Sequence, residues 1–462
     1  MLPRTSPSSQ GVDPSGVLAF LDALESTPGV EPHGLVLLRH GAVVAEGWWS
    51  PFTAERPHLL YSLSKSFTST AVGLAVEEGL IDLDASVLSY FPELDSEITD
   101  ARSRRILVRH VLAMASGHRA ETLPRARAND PLDLVRGFLL VPPDDEPGTV
   151  FAYNQPCTYS LAAIVQRVTG ESLVAYLRPR LFEPLGIDTY GWDRDASGRE
   201  LGWSGLHAPT EAVAKLGQLY LSGGVWQGTR ILESEWVAEA TRSHVDNPEE
   251  PNADWQQGYG YQFWMARHGF RGDGAFGQFC VVLPEHDVVL AMTGASTNMQ
   301  AVLDAAWTHL LPSFREVPPT PFDGESALER RLEALQLPPV AGRFAPADVR
   351  AGSFVAGEGN EHPALSRIDL VSEGADVWTI ALVDDGRPLE LALGFGVWSV
   401  TDAFAASAAW LDDSLVVEIA FLETPHRLRI SCDSRTGTFA ARWLTPSLHE
   451  KALADMRMPA TA

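Results

Sequence analysis

The stretch Tyr-Ser-Leu-Ser-Lys-Ser-Phe, residues 61–67, decides the fold of this chain. Within it, Lys65 follows Ser62 by three positions. On a helix, residues at this spacing share a face with their Cβ atoms about 5–6 Å apart, so the amine can reach the hydroxyl. The sequence has only two other lysines, Lys215 and Lys451, and neither has a serine three positions before it. The Ser-x-x-Lys spacing therefore predicts a serine nucleophile beside a lysine base.

This pair needs a particular environment to work. A serine hydroxyl is a poor nucleophile until a base takes its proton. Lysine can do so when burial or positive potential lowers its pKa, whereas arginine keeps its proton. The start of a helix supplies such potential from unpaired N–H groups, and the N–H of Ser62 can also hold an oxyanion. We therefore expect the active site at the start of a helix that runs from Ser62 to Glu78.

Composition narrows the class of protein. The chain has 462 residues, 60 acidic against 35 basic, and a net charge of −25. Its length predicts two domains, and its charge argues against nucleic acid and anionic membrane partners. The three cysteines are scattered, without the spacing of a disulfide framework or a metal site. The 13 histidines include no His-Glu-x-x-His pattern, so we expect no metal and no cofactor.

The apolar runs of the sequence bear on the cellular location of the protein. The N-terminus lacks an apolar signal core, and no apolar run approaches the roughly 20 residues that a membrane span requires. We therefore expect a cytoplasmic protein that does not bind membranes.

The order of predicted elements indicates an α+β fold followed by a second domain. We expect a hairpin near residues 34–45 and a mostly helical lobe over 106–240. Next come strands at Tyr259–Trp264, Phe279–Leu283 and Val288–Met292 and a helix at Met299–Leu311. An antiparallel sheet flanked by helices, with an inserted helical lobe, fits this order. The predicted domain covers residues 1–312.

Prolines mark the next boundary. Residues 313–342 are rich in proline around a short charged helix and are predicted to be a linker. Short strand patterns separated by turns follow, which predicts an all-β barrel or sandwich over 343–450 and a tail at 451–462. The predicted strands are Val377–Val383, Leu389–Leu393, Leu415–Phe421, His426–Cys432 and Thr438–Trp443.

Three further phrases carry a resemblance to a known family. They are LVRHVLAMASG at 107–117, PGTVFAYN at 147–154 and LFEPLGI at 181–187. With the Ser62–Lys65 pair, they make about residues 30–312 resemble the β-lactamase-related serine hydrolases. This family includes class C β-lactamases, DD-peptidases, family VIII esterases and some linear-amide hydrolases. The resemblance implies a β-lactamase/transpeptidase-like fold.

The resemblance also implies roles for residues near Tyr153. In the phrase PGTVFAY the tyrosine is similar to the family's second catalytic residue, so Tyr153 is implied as a general acid or base. A tyrosine can act so if a cation such as Lys65 stabilises its phenolate, or if it relays a proton. The family pattern is Tyr-x-Asn, but here Asn154 and Gln155 follow. Either of these could supply the substrate-binding amide.

The family's third element, Lys-Thr-Gly on an edge strand, is similar to RGDGAFGQ at residues 271–278. Its lysine, which commonly grips a β-lactam carboxylate, is absent, and Arg271 and His268 are candidates to replace it. The resemblance implies the Ala275 N–H as the second oxyanion donor, and Gly274 lets the strand approach closely. Gln278 completes a Gly-x-x-Gly-Gln phrase similar to the linear-amide hydrolases and is a candidate substrate contact.

These features predict a serine hydrolase that forms an acyl-enzyme with a small ester or amide. The missing lysine of the third element and the missing export signal favour an esterase or a linear-amide hydrolase over a β-lactamase. The alternative is a non-catalytic penicillin-binding-like fold used as a ligand-binding or sensing module. The C-terminal β domain could support a homo-oligomer in either case.

Overall fold

The computed structural model describes residues 2–316, 322–343, 351–372, 377–412 and 414–460. The chain divides into two compact units. The first is built chiefly from Met1–Glu46 and Leu60–Leu332, and the second from Gly47–Leu59 and Glu333–Pro459. The α+β class predicted from the sequence is confirmed, with a flanked sheet in the first unit and an all-β second unit.

The first unit is organised around a six-stranded sheet of order β2-β1-β6-β5-β4-β3. The pairs β1–β6, β5–β6, β4–β5 and β3–β4 are antiparallel. The predicted N-terminal hairpin is present as β1 and β2. The strands are β1 Pro32–Arg39, β2 Ala42–Trp48, β3 Trp264–Met265, β4 Phe270–Gly274, β5 Gln278–Leu283 and β6 Val288–Gly294.

Helices cover this sheet and form the lobe between β2 and β3. The helix that carries the Lys65 motif, α2, packs against α6 and is buried along most of its length. Leu161 and Ile164 of α6 are fully buried, so the lobe is anchored by apolar packing. The helices are α1 Pro14–Ser26, α2 Ser64–Glu77, α3 Val108–Leu112, α4 Leu123–Asn129, α5 Leu134–Leu139, α6 Gln155–Thr169, α7 Leu173–Leu177, α8 Glu183–Leu185, α9 Thr210–Leu221, α10 Ser234–Ala240, α11 Met299–Ala305 and α12 Glu325–Glu333.

One predicted strand of this unit is wrong. Of the predicted stretch, only Trp264 lies in a strand, β3, whereas Tyr259 forms isolated bridges to Trp264 and Val245. Between Tyr259 and Trp264 the chain turns, with Gln262 at a φ of 63°. The turn presses against α10, since a Cβ on Gly260 would lie 2.3 Å from the Ala240 carbonyl oxygen. The aromatic residues of this stretch are buried because they fill the core, and this burial produced the strand-like pattern.

The second unit is a nearly closed, barrel-like sheet of order β10-β9-β8-β7-β16-β15-β14-β13-β11, with β12 paired to β13. Buried and part-exposed residues alternate along β9, as expected when one face of a strand lines a core. Leu453 and Met456, from the predicted tail, belong to the same hydrophobic core. The strands are β7 Gly352–Ala356, β8 Leu365–Ser372, β9 Trp378–Asp384, β10 Arg387–Ala392, β11 Gly394–Phe395, β12 Ser399–Thr401, β13 Phe404–Leu411, β14 Ser414–Phe421, β15 Arg427–Asp433 and β16 Thr438–Thr445.

Candidate active site

Ser62 is the one partly exposed side chain in a buried segment. Every other residue from Tyr61 to Ala75 is buried. Tyr61 adopts a left-handed conformation with a φ of 48°, which is uncommon for an aromatic residue. It opens the short 3-10 turn Tyr61–Leu63, and α2 starts directly after it. The serine therefore lies on a tight turn at the entrance of a buried helix.

Lys65 lies beneath Ser62 and is removed from water. Its side chain is only 1% exposed, and its Nζ lies 3.0 Å from the Ser62 Oγ. The same Nζ donates to Gln155 Oε1 at 2.6 Å and to the Trp203 carbonyl oxygen at 2.9 Å. Burial lowers the pKa of Lys65 to about 7, even though the nearby carboxylates of Glu121 and Asp273 act in the opposite direction. A lysine with this pKa is neutral in a large fraction of molecules at neutral pH.

Tyr153 completes the group around Lys65. Lys65 Nζ lies 4.7 Å from the centre of the Tyr153 ring. The ring stacks on Trp264 at 5.2 Å and meets Tyr259 edge-on at 6.1 Å. Burial raises the pKa of Tyr153 above its usual value, and Asp273 adds to this, while an interaction with the Ser62 side chain lowers it. The protonated phenol is therefore the stable form, so this geometry favours a proton relay over a standing phenolate.

The two amides after Tyr153 have different surroundings. Gln155 accepts the hydrogen bond from Lys65 described above. The Asn154 carboxamide oxygen instead accepts from the backbone N–H and the hydroxyl of Thr122, at 3.0 and 2.8 Å, and the residue is fully buried. The structure therefore brings Gln155 to the catalytic group and leaves Asn154 outside it.

Gly274, at the end of β4, passes very close to the serine turn. A Cβ on Gly274 would lie 2.1 Å from the Leu60 carbonyl oxygen and 3.1 Å from the Ser62 nitrogen. Only glycine fits such an approach of two backbones. The next residue, Ala275, lines the same cavity as Ser62. The two backbone segments proposed to form the oxyanion hole therefore lie side by side.

Gln278 is placed away from the substrate cavity. Its side-chain amide donates to the Ala275 carbonyl oxygen at 3.0 Å and to the Gly294 carbonyl oxygen at 2.7 Å, and its oxygen accepts from the Gly294 N–H. The residue is fully buried. These bonds tie the Ala275 turn to β6, so Gln278 holds this turn in place from behind.

Neither candidate for the missing lysine of the third motif reaches the cavity. The Arg271 guanidinium is fully buried, bonds Asp273 Oδ2 at 3.0 Å and lies 4.2 Å from the Trp255 ring centre. His268 is exposed and meets Trp307 edge-on. Asp273, the partner of Arg271, lines the cavity beside Ser62.

A cavity of about 470 Å³ opens at Ser62. A neighbouring cavity of about 590 Å³ shares two of its lining residues, Tyr153 and Glu250. Sequence reasoning missed Glu250 and also Trp203, whose carbonyl oxygen binds Lys65. Trp203 acts through its backbone carbonyl group, which any residue type would supply, so the sequence cannot indicate it. Glu250 belongs to a polar loop whose composition is that of an ordinary surface loop.

Two observations concern metal binding and membrane insertion in the described residues. Within them, no group of three or more His, Cys, Asp and Glu side chains is placed to hold a metal ion. None of the helices in the described ranges is both long enough and apolar enough to cross a membrane.

Comparisons with known proteins show what the chain is similar to. A family model described as Beta-lactamase matches residues 21–311. The 6-aminohexanoate-dimer hydrolase of Paenarthrobacter ureafaciens is 30% identical over 282 residues, which cover 55% of this chain and 70% of that protein. The lovastatin esterase of Penicillium rubens is 29% identical over 150 residues, covering 28% of this chain and 37% of the esterase.

A solved structure extends the similarity of fold. The octameric penicillin-binding protein homologue of Pyrococcus abyssi covers 90% of this chain and 97% of its own, with a TM-score of 0.50 and 16% identity. At this identity the likeness concerns the fold alone.

Proposed function

The chain belongs to the beta-lactamase family, and from this premise we propose that it hydrolyses a small ester or linear amide through an acyl-enzyme on Ser62. The observation that carries the proposal is the contact of 3.0 Å between the Ser62 hydroxyl and a buried lysine whose pKa is about 7. A buried lysine in this state is a base held at the nucleophile.

The partners of Lys65 decide which way its lone pair points. Its other two partners, the Gln155 amide oxygen and the Trp203 carbonyl oxygen, can only accept hydrogen bonds. A neutral amine has two N–H groups, and these satisfy the two acceptors. The lone pair is then left for the Ser62 hydroxyl, which is the one partner with a proton to give. The two carbonyl groups thus orient the base.

Acylation follows from this arrangement. The Ser62 proton moves to Lys65 as the Oγ–carbon bond forms, and the carbonyl electron pair moves onto oxygen. The backbone N–H groups of Ser62 and Ala275 hold the oxyanion. Collapse breaks the bond from carbon to the leaving oxygen or nitrogen. The leaving group takes its proton from the Lys65 ammonium by way of the Tyr153 hydroxyl.

Deacylation repeats these steps with water. A water molecule gives one proton to neutral Lys65 while its oxygen bonds to the acyl carbon. The second tetrahedral intermediate then expels the Ser62 oxygen, which recovers the proton from Lys65. The product is a carboxylic acid, and the enzyme returns to its starting state.

The surroundings of Ser62 favour open-chain substrates over β-lactams. A β-lactam carries a carboxylate that needs a cationic partner. Arg271, a candidate for that role, is paired with Asp273 and packs on the Trp255 ring. Asp273 lines the same cavity, and its carboxylate is no partner for another carboxylate. We therefore propose an esterase or a linear-amide hydrolase.

The first test is turnover of a short-chain 4-nitrophenyl ester by the wild type, Ser62→Ala and Lys65→Arg. Both variants are expected to lose at least about a thousandfold in kcat. Arginine keeps the positive charge but cannot accept a proton, so Lys65→Arg separates a base from a mere cation. Full activity in Ser62→Ala would refute the proposal, and binding without a covalent adduct would favour a non-catalytic module.

Three further proposals accompany this function. We propose that the domains are those predicted from the sequence, with a hydrolase domain at 1–312, a linker at 313–342, a β domain at 343–450 and a tail at 451–462. We also propose that the protein is cytoplasmic and that it forms a homo-oligomer. The three cysteines are buried free thiols, which suits a reducing compartment. A fold relative is octameric. Limited proteolysis, cell fractionation and light scattering test these proposals in turn.

A further inference from the structure

The cavity at Ser62 is lined by two carboxylates, Glu250 and Asp273. Among its described lining residues there is no lysine, arginine or histidine. The rest of the lining combines polar residues with apolar and aromatic ones, and Trp255, Trp264 and Met299 suit an alkyl chain. The cavity therefore offers apolar contacts and negative charge directly beside the nucleophile.

The two carboxylates differ in how their charge is balanced. Asp273 bonds the buried Arg271 guanidinium at 3.0 Å, so most of its charge is compensated inside the protein. Glu250 is half-buried, and within the described part of the chain its carboxylate makes no hydrogen bond and no ion pair. Burial and the proximity of Asp273 raise the pKa of Glu250 above its usual value. A half-buried carboxylate in this state is stabilised by an added cation.

The nearest fixed cations do not supply that charge. Lys65 is committed to Ser62, Gln155 and Trp203, as described above. Arg119 lines only the neighbouring cavity and is paired with Asp145 at 2.6 Å. The neighbouring cavity adds further acidic residues, namely Glu121, Asp246 and Glu249. The potential around the substrate is therefore negative, and the counter-charge has to come from the substrate.

We propose that Glu250 binds an organic ammonium group of the substrate, so that the enzyme prefers esters or amides that carry a positive charge on an alkyl chain. This inference rests on the proposed function, because it names the substrate class of the same site. Glu250 lines both cavities, so the acyl part and the leaving group of the substrate are both tested as carriers of the charge.

The test uses pairs of esters that differ only in charge. The first pair places a trimethylammonium group, or its neutral tert-butyl isostere, at the end of the acyl chain of a 4-nitrophenyl ester, over a series of chain lengths. The second pair places the charge in the alcohol, as choline esters against 3,3-dimethylbutyl esters. A permanent charge removes any effect of substrate titration.

In the wild type, kcat/KM for the cationic ester is expected to exceed that of its isostere about two- to fivefold in at least one pair, as a partly exposed charge contact allows. Glu250→Gln should bring this ratio close to one. Glu249→Gln removes the same charge one residue away, on a side chain that lines only the neighbouring cavity, and should keep most of the wild-type ratio. Equal rates for both members of both pairs in the wild type would overturn the inference, as would an unchanged ratio in Glu250→Gln.

The neutral esters separate this result from the proposed function. If Ser62→Ala still hydrolyses the neutral ester, the proposed function fails whatever the charge preference. If hydrolysis of the neutral ester depends on Ser62 but the charged and neutral esters react at equal rates, the hydrolase function is supported and the ammonium-binding role of Glu250 is refuted.

Discussion

At the scale of single residues, the site depends on the protonation state of Lys65. Spacing alone predicted its contact with Ser62, because side chains three apart on a helix must lie on one face. The acceptors that fix the lysine could not be predicted so directly. Trp203 acts through its backbone, and Gln155 comes from a segment 90 residues away in the chain. Ser62 as the nucleophile stays a proposal until its variant is measured.

The pH profile gives a direct test of this residue. Lys65 acts as a base only when neutral, and its pKa is lowered to about 7 by burial. We expect kcat/KM for a neutral ester to rise with pH through about 7 and then level off. Gln155→Glu would place a carboxylate where the amide now accepts the 2.6 Å bond from Nζ. This favours the ammonium and should move the midpoint up by about one to two pH units.

Gln155→Leu is the matched variant for this shift. It removes the acceptor without adding charge, so the midpoint should not rise. Because the amine loses one of the two acceptors that orient it, kcat is expected to fall about tenfold. The same midpoint in the wild type and Gln155→Glu would show that another group controls the profile.

At the scale of elements, a helix or strand was predicted correctly where the hydrophobic pattern and the residues at its boundaries indicated the same structure. The helix α2 and strands β5 and β6 were predicted because apolar periodicity and Gly or Pro boundaries agreed there. Strand β13, Phe404–Leu411, was missed because four of its eight residues are alanine, which is depleted in strands. Its neighbours bury it almost completely, and that burial stabilises it where propensity does not.

Strand β4, whose Gly274 passes close to the serine turn, gives a prediction of its own. Gly274→Ala would push a methyl group to within 2.1 Å of the Leu60 carbonyl oxygen, so the strand and the serine turn must move apart. The oxyanion hole depends on their approach, and we expect kcat for a nitrophenyl ester to fall about a hundredfold or more. Overpacking should also cost about 1–3 kcal/mol of unfolding free energy.

Gly352→Ala is the control for this substitution. Gly352 also lies in a strand, and a Cβ there would meet nothing within 4 Å. Activity and melting temperature should remain at wild-type values. If Gly274→Ala also stays within about twofold of wild-type activity, the close approach at β4 is not required for catalysis.

At the scale of the whole molecule, the amino-acid composition gives the net charge but not the places in the fold where the charged side chains lie. The net charge of −25 argues against nucleic acid as a partner, but it could not indicate that acidic side chains gather at the cavity beside Ser62 and at the neighbouring cavity. Sequence distance hides this gathering, since Glu121, Glu250 and Asp273 come from three separate segments. Folding brings acidic side chains from distant parts of the sequence together, and the negative electrostatic potential that they create attracts cations.

This potential predicts how salt affects the two ester series. Raising ionic strength from about 0.01 M to about 0.3 M shortens the screening length from about 30 Å to several ångströms. We expect kcat/KM for the cationic esters to fall several-fold over this range, while that of the neutral isosteres stays nearly constant. Glu250→Gln should lose most of this salt dependence, because most of the preference for the cation is lost with the carboxylate. Identical salt profiles for the charged and neutral esters would show that the acidic surface has no part in substrate capture.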